Sequence, residues 1–238
     1  MLDPNTQIYV GEELHLFEKA TNWKQYYAGL IKPYLKGSVL EVGAGLGGTT
    51  TILCDGSQTE WLCLEPDMNL CAKVEQLIEE KYLPSYCKTQ NTTIDEVPTS
   101  EKFDAIIYID VVEHIEHDRE EMIKAVARLK KGGYIAIIVP AFQFFFSPFD
   151  KAVGHYRRYD KKLLSDIIPQ QMTQTKLQYL DSVGAMASLT NKFFLKQSYP
   201  TEKQVLLWDK NLVPISKLID PLINYSWGKS LLGVWQKN

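Results

Sequence analysis

The chain has 238 residues, of which 45% are hydrophobic and 23% charged, the balance of a folded globular protein rather than a disordered one. Lys and Arg number 26 against 29 Asp and Glu, a net charge of −3, so no basic excess points to a nucleic-acid partner. No apolar run is long enough to span a bilayer and the first residues lack a secretion signal, so a cytoplasmic protein is expected, with peripheral membrane contact left open. Cys54, Cys63, Cys71 and Cys87 form no C-x-x-C pair and read as reduced packing residues.

Residues 1–21 are polar with scattered apolar positions. Trp23, Tyr26, Tyr27, Leu30 and Ile31 then recur at helical spacing and predict a helix over 22–35, ended by Lys36-Gly37. Val39, Leu40 and Val42 are the short apolar run of a buried parallel strand. Gly43, Gly45, Gly47 and Gly48 follow, and a helix begins near Thr49. Strand, glycine turn and helix are how a Rossmann-like sheet builds a nucleotide site, because glycine allows positive φ and close approach of the backbone.

The glycines alone fit two patterns. Gly43, Gly45 and Gly48 match G-x-G-x-x-G, the dinucleotide form, whereas Gly43, Gly45 and Gly47 match G-x-G-x-G. Glu41, at the strand's end, separates them. A dinucleotide brings a pyrophosphate to this turn, which a carboxylate repels; S-adenosylmethionine (SAM) brings an ammonium and a sulfonium, which a carboxylate suits. From here the chain resembles the class I SAM-dependent methyltransferases of small-molecule type, whose first motif is E/D-x-G-x-G-x-G. The competing readings are a nicotinamide-dependent oxidoreductase and a SAM-binding subunit without catalysis.

The resemblance implies one methyltransferase domain over 1–238. Its fold class is α/β, Rossmann-like, with a seven-stranded, mostly parallel sheet, helices on both faces and an antiparallel last strand. It implies a helical lid at 1–36, with plain packing of that helix on the sheet as the alternative. It also assigns Glu41, Gly43, Ala44, Gly45 and Gly47 to the cofactor.

Residues 61–64 are the second strand and end at Glu65, 22 positions after Gly43, near the spacing at which an acid reaches a ribose. Glu65 and Pro66 therefore join the cofactor set, and Asp67 caps a helix over 68–81. A third strand is expected over 86–89. In the resembled family the following loop recognises adenine, which makes Thr93 and Ile94 candidates; a simple polar turn is the alternative.

Residues 103–109 are the fourth strand, and F-D-x-I-x-x-x-D-V-x-E-H-I resembles the fourth-strand motif of small-molecule methyltransferases. Asp110 and Val111 would meet cofactor and substrate at the sheet's carboxyl edge. His114 and His117 lie near Glu113, Glu116 and Asp118, but Asp118 reads as the cap of a helix over 119–130, and no metal is expected. His114 is open between packing, capping and proton transfer.

Lys131-Gly132-Gly133 is read as the helix stop and 134–139 as the fifth strand. The run 142–149 holds Phe142, Phe144, Phe145, Phe146 and Phe149, too many aromatics for open surface. His155, Arg157 and Tyr159 follow as candidates for substrate contact, and Asp160 caps a helix over 161–168. Strands six and seven are expected over 176–183 and 229–235. Between them 184–228 is an insertion of two or three short helices, expected to cover the pocket mouth, with an oligomer interface or membrane-surface contact as the competing use.

The activity expected is methyl transfer from SAM to an oxygen, less readily a nitrogen, of a small molecule or a sugar- or lipid-linked intermediate. His114, His155 and Arg157 are the catalytic candidates, and the protein is expected as a monomer or homodimer.

Overall fold

The computed structural model describes residues 12–190 and 200–238; residues 1–11 of the expected lid and Phe193, Phe194 and Leu195 of the insertion lie outside them. The strands are β1 (Gly37–Val42), β2 (Gln58–Leu64), β3 (Cys87–Gln90), β4 (Phe103–Ile109), β5 (Leu129–Pro140), β6 (Met172–Leu180) and β7 (Ser230–Lys237). They form one sheet in the order β3-β2-β1-β4-β5-β7-β6. β1 to β5 pair in parallel, and β7 runs antiparallel between β5 and β6. Successive side chains of a strand point to opposite faces. Leu40, Leu62, Ile106 and Ile137 accordingly join one core cluster, and Val39, Trp61, Ile107 and Ile138 the other. That two-sided burial is why these strands read as continuous apolar runs.

The helices are α1 (Glu12–Glu18), α2 (Thr21–Ile31), α3 (Thr50–Leu53), α4 (Met68–Glu79), α5 (Asp118–Ala127), α6 (Pro148–Ala152), α7 (Lys161–Asp166), α8 (Ser182–Thr190), α9 (Glu202–Leu207) and α10 (Val213–Leu222). The expected caps Asp67 and Asp160 are in place, accepting from Leu70 N and Leu163 N. The four cysteines are buried free thiols.

Several boundaries differ from the sequence reading. α2 stops at Ile31, and Lys32–Tyr34 tighten into a 3-10 turn around Pro33. Asp118 does not cap α5; it lies inside the helix, and its Oδ2 accepts from the Arg157 guanidinium and the Tyr159 hydroxyl. Lys131-Gly132-Gly133 belongs to β5. The β4 register jumps from Phe103↔Leu129 to Ala105↔Tyr134, so the glycines form a bulge, with Gly132 at φ +78. β6 spans Met172–Leu180 rather than 176–183, because Asp181 turns to φ +65 and Ser182 starts α8.

The described residues of 182–228 form α8, α9 and α10, with a widened turn at Trp208–Leu212 running into α10. Two buried aspartates tie it to α2. Asp209 accepts from Asn22 N (3.2 Å), Asn22 Nδ2 (2.9 Å) and Trp23 N (2.9 Å), so a side chain from the insertion serves the α2 N-terminus. Asp220 accepts from the Tyr26 hydroxyl (2.7 Å) and from Asp181 N and Ser182 N. The aromatic loop folds onto the same region. Phe142 stacks on Trp227 (4.8 Å between centroids) and Tyr179 (4.5 Å), and Phe17 of α1 meets both Phe149 and Trp208.

β1 carries Glu41, only 2% exposed. Its Oε2 accepts from Thr50 Oγ1 (2.7 Å), Trp61 Nε1 (2.8 Å) and Cys63 Sγ (3.7 Å). Burial pushes its carboxyl up to about 7 despite these donors.

Two outcomes are expected from these buried acids. Asp209→Ala removes three hydrogen bonds, one a helix cap, for a loss of about 2 kcal/mol, or roughly 4–8 °C in melting temperature; a calorimetric midpoint equal to wild type would break the assignment. For Glu41, the folded state holds its proton more tightly than the unfolded chain. Its contribution is therefore best at low pH and declines as pH rises from the ordinary glutamate range through about 7. Glu41→Gln lacks that titration, so its melting temperature relative to wild type should climb between pH 5 and pH 8. A difference that does not change over this range refutes the burial argument.

Candidate active site

The carboxyl edge of the parallel strands collects the motif residues. At the end of β1, Gly43 N and Ala44 N both donate to Leu64 O (2.8 and 3.1 Å), which fastens the turn to β2. Gly43 sits at φ +73, and a Cβ there would lie 2.6 Å from Val111 Cγ2, so only glycine lets the two turns touch. Gly45 differs. Its φ is +56, but a Cβ would meet only Leu14 of α1, at an ordinary 3.6 Å. A methyl group would fit there in contact with Leu14, so α1 packs over the turn at Gly45.

Glu65, at the end of β2, is buried and joins this turn to the next. Its Oε2 accepts from Gly45 N (2.8 Å) and its Oε1 from Asp67 N (3.0 Å). Burial raises its pKa against these two bonds. Asn91, which the sequence reading passed over, donates from Nδ2 to Glu65 O and Pro66 O (both 2.9 Å) and holds the β2 turn against the loop after β3. In that loop Ile94 is fully buried, whereas Thr93 and Pro66 are exposed. Glu41 lies beneath the turn, its Oε2 committed to Thr50, Trp61 and Cys63, rather than simply facing outward.

Asp110 follows β4 at φ 54, a left-handed conformation that is strained for a non-glycine residue. It is open to solvent, yet burial among protein atoms pushes its carboxyl up to about 6 against the attraction of His155, Lys229 and Arg158. A side chain that water reaches but protein walls surround lies at the floor of an open cleft.

The other side of that cleft comes from two segments. Asp150 is fully buried and accepts at Oδ1 from His155 Nδ1 (2.9 Å) and Arg158 Nε (2.7 Å). Its Oδ2 accepts from Arg158 Nη2 (3.0 Å) and from the Ser147 amide and hydroxyl (2.8 and 2.7 Å). These donors hold Asp150 ionised, well below the usual carboxylate range. The His155 ring meets the His114 ring edge-on at 4.5 Å between centroids. Burial first, and His155 second, lower His114 to about 4, so its imidazole is neutral.

The structure therefore brings His114 and His155 together, beside Asp110. It takes Arg157 elsewhere: its guanidinium pairs with Asp118 and with Glu116 O at the start of α5. Arg158 stands in the cluster instead. His117 is exposed and turns its carbonyl to Glu120 N and Glu121 N, apart from His114. Lys229 was also missed. It enters the cleft from the start of β7, its Nζ 4.9 Å over the Trp208 ring, with Asp181, Asp150 and Asp110 as charged neighbours. The sequence showed it only as the first residue of the predicted seventh strand, 229–235. A shallow groove lined by Pro33, Gly37, Asp104 and Gly132 opens at the opposite edge and holds none of the motif residues.

Residues 40–135 match the family model of a methyltransferase domain. No curated protein sequence matches the chain. Among solved structures, N-methyltransferase NodS from Bradyrhizobium japonicum WM9, in complex with S-adenosyl-L-homocysteine, is 14% identical, with a TM-score of 0.57 over 93% of this chain and 87% of that one. Coclaurine N-methyltransferase bound to N-methylheliamine and S-adenosyl-L-homocysteine is 12% identical, with a TM-score of 0.62 over 92% of this chain and 72% of that one. The [4+2]-cyclase SpnF is 12% identical, with a TM-score of 0.64 over 100% and 97%. At these identities the likeness is one of fold. The matched segment is that of a methyltransferase domain, and the fold around it is that of these solved structures.

Proposed function

We propose that the chain methylates an oxygen of a small molecule or of a sugar- or lipid-linked intermediate. The observation that carries this reading is the Asp150–His155 pair beside Asp110 at the floor of the cleft. A hydroxyl must give up its proton to become a strong nucleophile, whereas a neutral amine attacks with the lone pair it already has. His155 has its Nδ1 proton fixed by Asp150, which leaves Nε2 as the basic nitrogen.

SAM, when bound, supplies a methyl group on a sulfonium that is already a good leaving group. The chain's residues have three tasks around it. Gly45 brings no side chain to the turn, beneath Leu14 of α1, and Glu65 has lone pairs beyond the two it gives to Gly45 N and Asp67 N, enough to accept from ribose hydroxyls. Gly43, Ala44, Gly47, Pro66, Thr93, Ile94 and Val111 line the same edge in this reading, with Asp110 between cofactor and acceptor. Arg158 and Lys229 give the acceptor side two cations, so an acceptor with an acidic group suits it. Alignment and exclusion of water supply the rest. α1, α2, the aromatic loop and the 184–228 helices act as lid and cap in one domain.

Titration calorimetry tests the cofactor. SAM and S-adenosylhomocysteine should bind with Kd on the order of micromolar, and NAD without measurable heat; NAD binding in the absence of SAM binding would overturn the reading. Glu65→Ala should weaken SAM at least tenfold, since hydrogen bonds to a charged group contribute about 1.5–3 kcal/mol each. It should also lower the melting temperature of the free protein, because the Gly45 and Asp67 amides lose their acceptor. Wild-type affinity in Glu65→Ala would remove Glu65 from the site.

A further inference from the structure

We propose that Glu113, His114 and His155 bind one divalent metal ion, of the zinc or manganese type, at the acceptor side of the cleft. One carboxylate oxygen and one nitrogen from each ring lie within 4.8 Å of one another. Three atoms so spaced share a point no more than about 2.8 Å from each, and small side-chain rotations close that to the roughly 2.0–2.2 Å of zinc–nitrogen and zinc–oxygen bonds. The donor set, two imidazoles and a carboxylate, suits zinc, manganese or iron better than the all-oxygen preference of calcium or magnesium.

A second observation is independent of the spacing. Glu113 is 1% exposed, and its Oε2 has no hydrogen-bond partner. A buried, unpaired carboxylate oxygen is costly, and a cation is the partner that the neighbouring rings would complete. The two segments are also held in place without the ion. Tyr156 N donates to Glu113 O (2.8 Å) and His155 N to Asp150 O (2.8 Å), so backbone bonds fix where the ligands sit. Asp150 accepts from His155 Nδ1, which leaves Nε2 for the metal, the carboxylate–histidine–metal arrangement by which outer partners orient a ligand. Among nearby charges, Asp110 and Asp150 favour a cation, while Arg158 opposes it.

Three protein ligands leave coordination positions open. The ion's task rests on the oxygen-acceptor reading above, with the ion in place of the His155 Nε2 base: an acceptor hydroxyl takes an open position and becomes more acidic. Its proton leaves to water, its oxygen keeps the bonding pair, and no electron changes hands. An acceptor with a second oxygen beside the first would occupy two positions, so vicinal hydroxyls are the class this geometry favours.

The test uses untagged, chelator-stripped full chain, titrated with Zn2+ and with Mn2+ by calorimetry and Mn2+ by electron paramagnetic resonance. Wild type should bind one ion per chain and melt at higher temperature with it. Glu113→Gln, His114→Ala and His155→Ala should each weaken binding at least tenfold. Glu113→Gln keeps the buried shape, and His155→Ala alters a partly exposed ring; S-adenosylhomocysteine titration shows which variants keep the cofactor fold. No binding of either ion by wild type, or equal binding by all folded variants, overturns the proposal. An ion bound without S-adenosylhomocysteine supports the metal site and refutes the methyltransferase reading. S-adenosylhomocysteine bound without an ion refutes the metal and leaves His155 as the proton acceptor.

Discussion

A carboxylate taken out of water must find donors or remain protonated, and this chain buries its acids along one edge of the sheet. Their solutions set the rest. Glu65 takes amides from two turns and so fixes the glycine loop to the end of β2. Asp150 takes Arg158, His155 and Ser147, which orients the one histidine ring that reaches His114. Asp209 and Asp220 take the start of α2, the Tyr26 hydroxyl and the amides after β6, which binds the insertion to the N-terminal helix. Glu113 keeps a buried carboxylate oxygen without a partner, as Ser182 Oγ and Gln178 Nε2 also lack one among the described residues.

Much of the fold was legible because it is written locally. β4 was bounded correctly from its apolar run, and the Asp67 and Asp160 caps were visible as single residues before helical stretches. The failures were tertiary. Asp118 looks like a cap in sequence, but Arg157 and Tyr159, some forty residues later, claim its carboxylate. Gly132-Gly133 looks like a helix stop, but pairing of β5 with β4 absorbs it as a bulge. The Asp209 cap of α2 could not be read at all, since donor and acceptor lie about 187 residues apart.

The same division separates the two halves of the candidate site. The cofactor half is built from turns that directly follow strands, so Glu41, Gly43, Gly45, Glu65 and Asp110 stand out as motifs. The acceptor half joins residues 110–114 to 150–158 and brings Lys229 from the far end of the chain. Histidine spacing in the sequence suggested His114 with His117; the fold pairs His114 with His155. Arg157 and Arg158 are adjacent, yet one pairs with Asp118 of α5 and the other with Asp150.

The fold does not choose the chemistry, as a [4+2]-cyclase with the same architecture shows. What distinguishes chains on such a sheet is the structure placed beyond β4 and β5. Here that structure has two layers with different constraints. The inner layer, Glu113–His114 against Asp150–Arg158, is locked by backbone bonds and a buried ion pair, so its groups have few alternative positions. The outer layer, Phe142, Phe144 and Phe145 against Trp227, with Phe17 meeting Phe149 and Trp208, is held by ring contacts, which tolerate changes of shape more readily than hydrogen bonds do. Under the oxygen-acceptor reading proposed above, the rigid polar floor would fix how the acceptor's reacting atom is presented, and the adaptable aromatic rim how large a body can carry it in.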